Sequence, residues 1–177
     1  PPYGLAVLAK HLRATGLEVE ILNLNHEVLK ACRKGEPGRP FDFDAAWTTP
    51  LTSALERFKP QLVAVTCMFT MTHDSLKRIC AAVAREGIPL VIGGVHVSND
   101  VERVLSDIPA ADMAVVREGD VAFHQLVRVI RGEQPVETLG QVILRGTDGE
   151  RLRFLQECMP TANQMDVIPA FELTEVS

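Results

Sequence analysis

Short apolar runs alternate with amphipathic stretches through the middle of the chain. Three runs, Gln61–Thr66, Pro89–Ile92 and Asp112–Val116, consist mainly of Val, Ile, Leu and Ala, which is typical of buried strands. Each run is followed by a stretch whose apolar residues recur at helical spacing. Such strand–helix alternation predicts a parallel sheet with right-handed crossover connections.

The stretches that follow the three runs are predicted to be helices. The first begins at Thr72 or Asp74, either of which can cap a helix, and extends to Arg85. The second covers about 99–106 and the third about 121–131. Gly residues after the first and third helices would end them.

The N-terminal part of the pattern predicts a loop at Pro1–Gly4, a helix up to Gly16 and a short strand at Val19–Leu24. Loop, helix and strand form the second half of a βαβ unit. We therefore expect the first strand to precede Pro1, and the sequence to begin just after it. In the flavodoxin-like strand order 2-1-3-4-5 that strand is central.

Residues 25–44 show little periodicity and are expected to be irregular. Asp44 could cap a helix over 45–58, in which Pro50 would lie near the first turn or delay the start. The buried face of that helix is expected to contain Trp47, Leu51, Ala54, Leu55 and Phe58.

The pattern changes after the third helix. Gln141–Arg145 and Arg151–Leu155 flank the turn signal Asp148–Gly149, which predicts a β-hairpin. The chain is therefore expected to consist of an α/β domain over 1–135, a hairpin over 136–158 and a linker over 159–177.

The amino-acid composition narrows the classes of protein to which this chain can belong. Aromatic residues make up only 5% of the chain, so the core must consist of aliphatic side chains, as in a sheet covered by helices. The net charge is −5 and the charges are mixed, with no basic run that would indicate a nucleic-acid partner. We expect no membrane span, because no apolar stretch approaches the roughly 20 residues that a bilayer requires.

The four cysteines, Cys32, Cys67, Cys80 and Cys158, form no C-x-x-C pair. Without a secretory signal they indicate a reducing, cytoplasmic location and favour neither disulfides nor a metal site. No Ser–His–Asp order, phosphate loop or paired carboxylates indicate a catalytic site. His73 and Asp74 are adjacent, and neighbouring residues at a helix start rarely face one another.

Three loops follow the three predicted parallel strands and therefore share one edge of the sheet, where such folds bind ligands. Thr66–Thr72 combines hydroxyls with Met and Phe side chains, Gly93–His96 allows close backbone approach, and Arg117–Asp120 offers a carboxylate beside a glycine. Each also has an ordinary structural explanation: helix capping, a turn that needs positive φ, and acids at a helix N-terminus.

Five segments together resemble the cobalamin-binding domain that precedes the radical domain in cobalamin-dependent radical S-adenosylmethionine enzymes. They are Pro1–Leu12, Gly16–Val19, Lys59–Thr66, Gly93–Ser98 and Ala111–Asp120. The hairpin and Met165–Phe171 resemble the connecting segment of that family. The resemblance implies a Rossmann-like, flavodoxin-like α/β fold with helices on both faces of a parallel sheet, and cobalamin across the carboxyl ends of its strands.

The resemblance also implies which residues contact the cofactor and its cobalt. Thr66, Met68, Thr70 and Thr72 would line the corrin face or the tail pocket, with Met68 and Phe69 as possible neighbours of the lower cobalt face. Gly93, Gly94 and His96 would lie against the tail or the corrin amides, Glu118 and Gly119 would accept bonds from corrin side chains, and Tyr3 and Gly4 would close the pocket.

Two departures from known patterns qualify this expectation. The D-x-H-x-x-G motif, whose His binds cobalt in many other cobalamin proteins, is absent, and the nearest candidate, His73, lacks its surroundings. The C-x-x-x-C-x-x-C motif is also absent, so the iron–sulfur cluster and S-adenosylmethionine are expected in a C-terminal radical domain outside these residues.

The implied reaction of the parent enzyme is methyl transfer, with this chain holding cobalamin and supplying no catalytic residue. Two alternatives remain open. The same fold could lack cobalamin and act as a structural or docking module for a radical catalytic domain. A free-standing flavodoxin-like response or nucleotide-binding module is the third class.

Overall fold

A computed structural model describes residues 2–35, 38–146, 148–162 and 168–174. The chain forms two compact units, of which the first consists of Pro1–Pro60 with Ile168–Ser177 and the second of Gln61–Val167. Parts of the segment 25–44, which was expected to be irregular, of the hairpin turn and of the linker lie outside the described residues.

Three helices make up most of the first unit: α1 (Tyr3–Arg13), α2 (Leu24–Lys34) and α3 (Phe43–Phe58). A 3-10 turn at Phe171–Leu173 packs on α1, where the amide of Ala170 donates to the carbonyl of Ala6 at 3.0 Å. The expected loop at Pro1–Gly4 is wrong for Tyr3 and Gly4, which begin α1. A proline just before the first helical turn is tolerated, because the amides there have no partner inside the helix.

Two further expectations for this unit are wrong. Residues 17–23 form no strand, and Leu24 already belongs to α2, because an extended segment becomes a strand only where a neighbouring strand completes its hydrogen bonds. Residues 24–34 are helical rather than irregular. The missed signal was Asn23, whose side chain accepts a bond from the amide of His26 at 3.1 Å and caps α2.

The third helix begins slightly earlier than its predicted start. Asp42 rather than Asp44 caps it, because its carboxylate accepts from the amide of Ala45 at 2.9 Å. Pro50 lies inside the helix, so it neither delays nor ends it. Trp47 and Leu51 are buried as expected, whereas Ala54, Leu55 and Phe58 are only half-buried.

The second unit contains a five-stranded mixed sheet, in the order β1 to β5. The strands are β1 (Val63–Thr66), β2 (Leu90–Gly93), β3 (Met113–Val115), β4 (Val142–Arg145) and β5 (Arg151–Phe154). The first three are parallel, and β4 and β5 form an antiparallel hairpin that joins the sheet beside β3. The predicted parallel strands and the hairpin are confirmed.

Four helices connect these strands: α4 (His73–Ala84), α5 (Val95–Asn99), α6 (Val101–Asp107) and α7 (Gly119–Ile130). Short 3-10 turns lie at Thr70–Thr72 and Val136–Thr138. The helix predicted over 99–106 is instead two helices that break at Asp100, whose φ of −151° is not helical.

The sheet is covered on both faces at its central strand β2, whereas Ala64 and Thr66 of β1 are exposed, so the expectation of a fully buried strand is wrong there. Leu90, Val91 and Ile92 are all buried, although successive side chains of a strand point to opposite faces. The predicted α/β class is confirmed. None of the helices in the described part of the chain combines the length and the apolar character needed to cross a bilayer.

Candidate functional site

The turns after β1, β2 and β3 lie at one end of the sheet, which we call the carboxyl edge. It comprises Cys67–Thr72, termed the first loop, Gly94 with the start of α5, and Val116–Glu118 before α7. Because the three strands are parallel, the turns share this edge, as the sequence predicted.

Hydrogen bonds join the three turns to one another. The amide of Cys67 donates to the carbonyl of Gly93 at 2.9 Å, and the amide of His96 donates to the carbonyl of Cys67 at 3.1 Å. The hydroxyl of Ser98 donates to the carbonyl of Gly94 and accepts from the amide of Arg117, at 3.0 and 2.8 Å. The carboxyl edge is therefore one connected structure rather than three independent loops.

The two glycines of this edge are explained by packing within the protein. Gly94 has φ 99° and ψ 174°, a conformation essentially restricted to glycine. A Cβ atom at Gly94 would lie 2.5 Å from the carbonyl oxygen of Cys67 and 2.8 Å from the hydroxyl of Thr66. A Cβ atom at Gly93 would lie 3.3 Å from the carbonyl oxygen of Val115. The close approach at these glycines is to neighbouring backbone, and the positive φ of Gly94 matches the ordinary structural explanation for this turn. Their approach to a ligand stays a prediction.

Exposed apolar side chains cluster on the first loop. Phe69 is 66% exposed and Met71 is 89% exposed, and Met68 and Val95 are also exposed. Two exposed threonines, Thr66 and Thr70, add hydroxyls beside them. An apolar patch of this kind with polar neighbours is typical of a ligand or partner site. Its chemistry suits a large ligand with an apolar face and a polar periphery.

Thr72 contributes to the first loop in a different way from Thr66 and Thr70. Its hydroxyl donates to the carbonyl of Phe69 at 2.7 Å and lies 3.2 Å from the sulfur of Cys67. The side chain therefore closes the loop on itself. The sequence offered Thr72 or Asp74 as the cap of α4; Thr72 occupies the cap position, but its side chain makes no capping bond.

Two histidines meet behind the first loop. The Nδ1 atom of His73 and the Nε2 atom of His96 are 2.9 Å apart, and the rings pack edge to face with centroids 5.2 Å apart. The Nε2 atom of His73 lies 3.4 Å from a carboxylate oxygen of Asp107. Both ring nitrogens of His73 thus have protein neighbours, which disfavours His73 as a cobalt ligand.

His96 is buried, with 7% of its surface exposed. Burial lowers its pKa below the ordinary value, and the nearby His73 and Arg103 lower the pKa further, against an opposing effect of Asp100. The sequence pattern indicated His96 as a site residue and His73 as a separate candidate, and it did not predict that the two rings are in contact. The signal was available, because the two residues follow adjacent parallel strands.

The third turn places Glu118 at the exposed position before α7, and Gly119 is the first residue of that helix. Arg117 has φ 59°, which is uncommon outside glycine, and its guanidinium donates to Glu157 at 2.6 Å. A carboxylate at this position is free to turn toward a ligand at the carboxyl edge.

Tyr3 and Gly4 belong to the first unit. Tyr3 is exposed, and its ring centroid lies 6.2 Å from that of Phe171. A Cβ atom at Gly4 would contact nothing within 4 Å. The remaining predicted site residues all lie in the second unit, at its carboxyl edge.

The described residues contain no cluster of three or more His, Cys, Asp or Glu side chains suited to a metal ion. All four cysteines have free thiols, of which Cys32 is exposed and Cys67 and Cys80 are buried. Burial raises the pKa of Cys80 to about 12, so its thiolate, the reactive form, is scarce at neutral pH.

We expect the thiol of Cys32 to react with an aromatic disulfide reagent far faster than that of Cys80 under native conditions. Labelling at pH 8 followed by peptide mass mapping measures the order of reaction. The Cys32→Ser variant should lose the fast phase, and denaturant should expose Cys80. Rapid native labelling of Cys80 would contradict the described packing of α4.

Comparisons with known proteins agree with the fold. The chain is similar to the radical S-adenosylmethionine methyltransferase TsrM from Kitasatospora setae, in a structure with cobalamin and a [4Fe-4S] cluster bound. The two share 22% identity and a TM-score of 0.68, over 87% of this chain and 28% of TsrM. It is also similar to the cobalamin-dependent S-adenosylmethionine radical enzyme OxsB with aqua-cobalamin and S-adenosylmethionine bound, with 15% identity and a TM-score of 0.63, over 90% of this chain and 20% of OxsB.

The chain thus spans less than a third of either solved relative, and at these identities the likeness shows the fold alone. A search of curated proteins found no match. The profile of the family described as B12 binding domain matches residues 1–127, which include all the turns of the carboxyl edge and both histidines. The Rossmann-like fold is thereby confirmed, and this chain belongs to the B12-binding domain family.

Proposed function

We propose that this chain holds cobalamin at the carboxyl edge, as the cofactor-binding part of a radical S-adenosylmethionine enzyme. The observation that carries the proposal is the cluster of exposed Met and Phe side chains beside exposed hydroxyls on the first loop. Parallel α/β sheets bind ligands at this edge. Cobalamin matches the chemistry, because its corrin ring has an apolar face and a periphery of amide groups.

In this proposal Met68, Phe69 and Met71 pack against the corrin face and exclude water from it. The hydroxyls of Thr66 and Thr70 and the carboxylate of Glu118 bond to peripheral amides. Thr72, Gly93, Gly94 and His96 shape the edge from beneath, because their described contacts are with neighbouring protein atoms. Gly119 completes the set in the second unit, and the roles of Tyr3 and Gly4 stay predictions from the sequence.

Bound cobalamin would supply a cobalt centre that can carry a methyl group, chemistry that no side chain provides. The proposed role of this chain is to bind and orient the cobalamin. His73 is not proposed as a cobalt ligand, because one of its ring nitrogens is bonded to His96 and the other faces Asp107. His96 is buried and is assigned to shaping the edge instead.

The parent reaction that we propose is methyl transfer. The solved relatives support this, since TsrM is a methyltransferase and both TsrM and OxsB bind cobalamin. The iron–sulfur cluster and S-adenosylmethionine would be held by a C-terminal radical domain. The division of the chain at residues 135 and 158 and its cytoplasmic location stay predictions.

Gel filtration of the full-length protein with hydroxocobalamin, at tens of micromolar each, tests the proposal. We expect co-elution and a changed visible spectrum. Replacing Thr70 by Trp should fill the edge and weaken binding at least ~10-fold, or about 1.4 kcal/mol. Glu86→Trp is the control, because Glu86 follows α4 at the opposite end of the sheet.

The alternative function, a docking module without cobalamin, is favoured by a different result of the same experiment. The exposed apolar patch also suits a protein partner. A well-folded protein that neither co-elutes with hydroxocobalamin nor alters its spectrum would support the docking module. Equal binding by the Thr70→Trp and Glu86→Trp variants would place the cofactor away from the first loop.

A further inference from the structure

His96 is bonded to both ends of the first loop. Its backbone amide donates to the carbonyl of Cys67, where the loop begins, at 3.1 Å. Its side chain meets His73, the first residue of α4 directly after the loop, at 2.9 Å. The five residues between these points include the exposed Met68, Phe69 and Met71. One residue, through its amide and its buried side chain, thus joins both ends of a loop whose Met and Phe side chains are exposed.

The bond between the two imidazoles depends on their protonation. One nitrogen must donate a proton and the other must accept it, so at least one ring has to be neutral. If both rings are protonated, two N–H groups face each other at 2.9 Å and two positive charges adjoin. The bond therefore holds in the neutral and singly protonated states and breaks in the doubly protonated state.

Charged groups surround the pair. Asp107 on α6 lies 3.4 Å from the far nitrogen of His73 and is also 3.7 Å from Arg103. Burial lowers the pKa of His96, the nearby His73 and Arg103 lower it further, and Asp100 opposes them. His96 therefore acquires a proton only at acid pH.

We propose that His73 and His96 are positioning residues for the cobalamin site, forming a proton-dependent clasp that fixes the first loop and opens when both rings are protonated. This inference rests on the proposed function for its effect on affinity. The clasp itself is a property of the protein without cofactor. We expect the clasp to open below about pH 6.5, the ordinary pKa of histidine, because the pKa of His96 is lowered.

Hydroxocobalamin affinity of the full-length protein, measured from pH 5 to 8, tests the clasp. Wild type should lose about 10-fold in affinity between pH 7.5 and the acid end, since only there does the second ring acquire its proton. The His96→Gln variant keeps a group that can bond His73 but does not titrate, so its profile should be flatter. The His96→Phe variant cannot bond His73 and should bind about 10-fold more weakly at pH 7.5. His26→Gln, on α2, is the control and should keep the wild-type profile.

Hydrogen exchange on the cofactor-free protein separates failure of the clasp from failure of the proposed function. Amides of Cys67–Thr72, compared with those of α4 to remove the intrinsic pH dependence, should lose protection at acid pH in wild type and not in His96→Gln. If cobalamin fails to bind at any pH, this result still supports the clasp. Equal protection of the loop in both proteins, or wild-type affinity of His96→Phe at pH 7.5, would overturn it.

Discussion

The Gly94→Ala variant should lose a large part of its folding free energy. Its backbone conformation costs a residue with a Cβ atom ~1–3 kcal/mol, and forcing that atom into a filled space costs ~1–3 kcal/mol more. The added carbon would lie 2.5 Å from the carbonyl oxygen of Cys67. We expect a decrease of ~2–6 kcal/mol in the free energy of unfolding, a serious loss for a protein with ~5–15 kcal/mol in total. Urea denaturation measures it.

Gly87→Ala is the matched control for this substitution. Gly87 also has positive φ, at 68°, but a Cβ atom there would contact nothing within 4 Å. Its cost is conformational alone, ~1–2 kcal/mol. The excess cost of Gly94→Ala over Gly87→Ala combines the clash with Cys67 and Thr66 and the less accessible backbone conformation of Gly94. If the two variants are equally stable, the described approach of Gly94 to Cys67 is wrong.

A second-site substitution sharpens the argument about Gly94. Thr66 supplies the other close atom, its hydroxyl, at 2.8 Å from the added carbon. Removing that hydroxyl in a Thr66→Ala, Gly94→Ala double variant should restore little stability, because the closer obstacle is backbone and remains. Substantial rescue would mean that the side chain, rather than the carbonyl of Cys67, determines the need for glycine.

The sequence predicted the parallel part of the fold because three features agreed there. The apolar runs were short, the connecting stretches were helical in period, and Gly87 and Gly132 marked the ends of two helices. Once the strands are parallel, chain order alone brings three turns to one edge. The role of Gly93 and Gly94 was only partly predictable. The paired glycines indicate that another group lies close to the backbone, but the sequence does not show whether that group is a ligand or neighbouring protein.

The first unit was predicted less well, for a physical reason. Val19–Leu24 has the composition of a strand, yet strand formation depends on a partner that local pattern cannot reveal. The helix α2 was missed because its boundaries depend on the single cap Asn23. Pro50 inside α3 shows that packing of neighbours such as Trp47 and Leu51 can outweigh a lost helical hydrogen bond.

The contact between His73 and His96 shows a third reason why part of the site could not be predicted from the sequence. The two residues are 23 positions apart, and the contact requires α4 and α5 to begin side by side at adjacent strand ends. Topology makes that contact possible, but the orientation of the rings depends on the break at Asp100 and on the position of Asp107. A contact between side chains of two different loops therefore cannot be predicted from the sequence, even when each loop is identified correctly.

Replacing Met71 by Glu should abolish most cobalamin binding while leaving the protein folded. Met71 is 89% exposed, so a carboxylate there is well solvated in the free protein. Against a corrin face, the variant loses the burial of an apolar side chain, ~1.5–3 kcal/mol, and must also desolvate a charge. We expect at least ~30-fold weaker binding, or about 2 kcal/mol. Titration of hydroxocobalamin followed by absorbance measures it.

Ile130→Glu is the matched control for Met71→Glu. Ile130 is also an exposed apolar residue of the second unit, but it ends α7 and lies at the opposite end of the sheet from the first loop. Both variants add one negative charge to the same unit, so a loss confined to Met71→Glu cannot come from net charge or general stability. Phe69→Glu, on the same loop, should reproduce the loss. Equal affinities for the Met71 and Ile130 variants would mean that the exposed apolar patch serves a protein partner instead, because a corrin ring on the first loop could not tolerate a carboxylate beneath it.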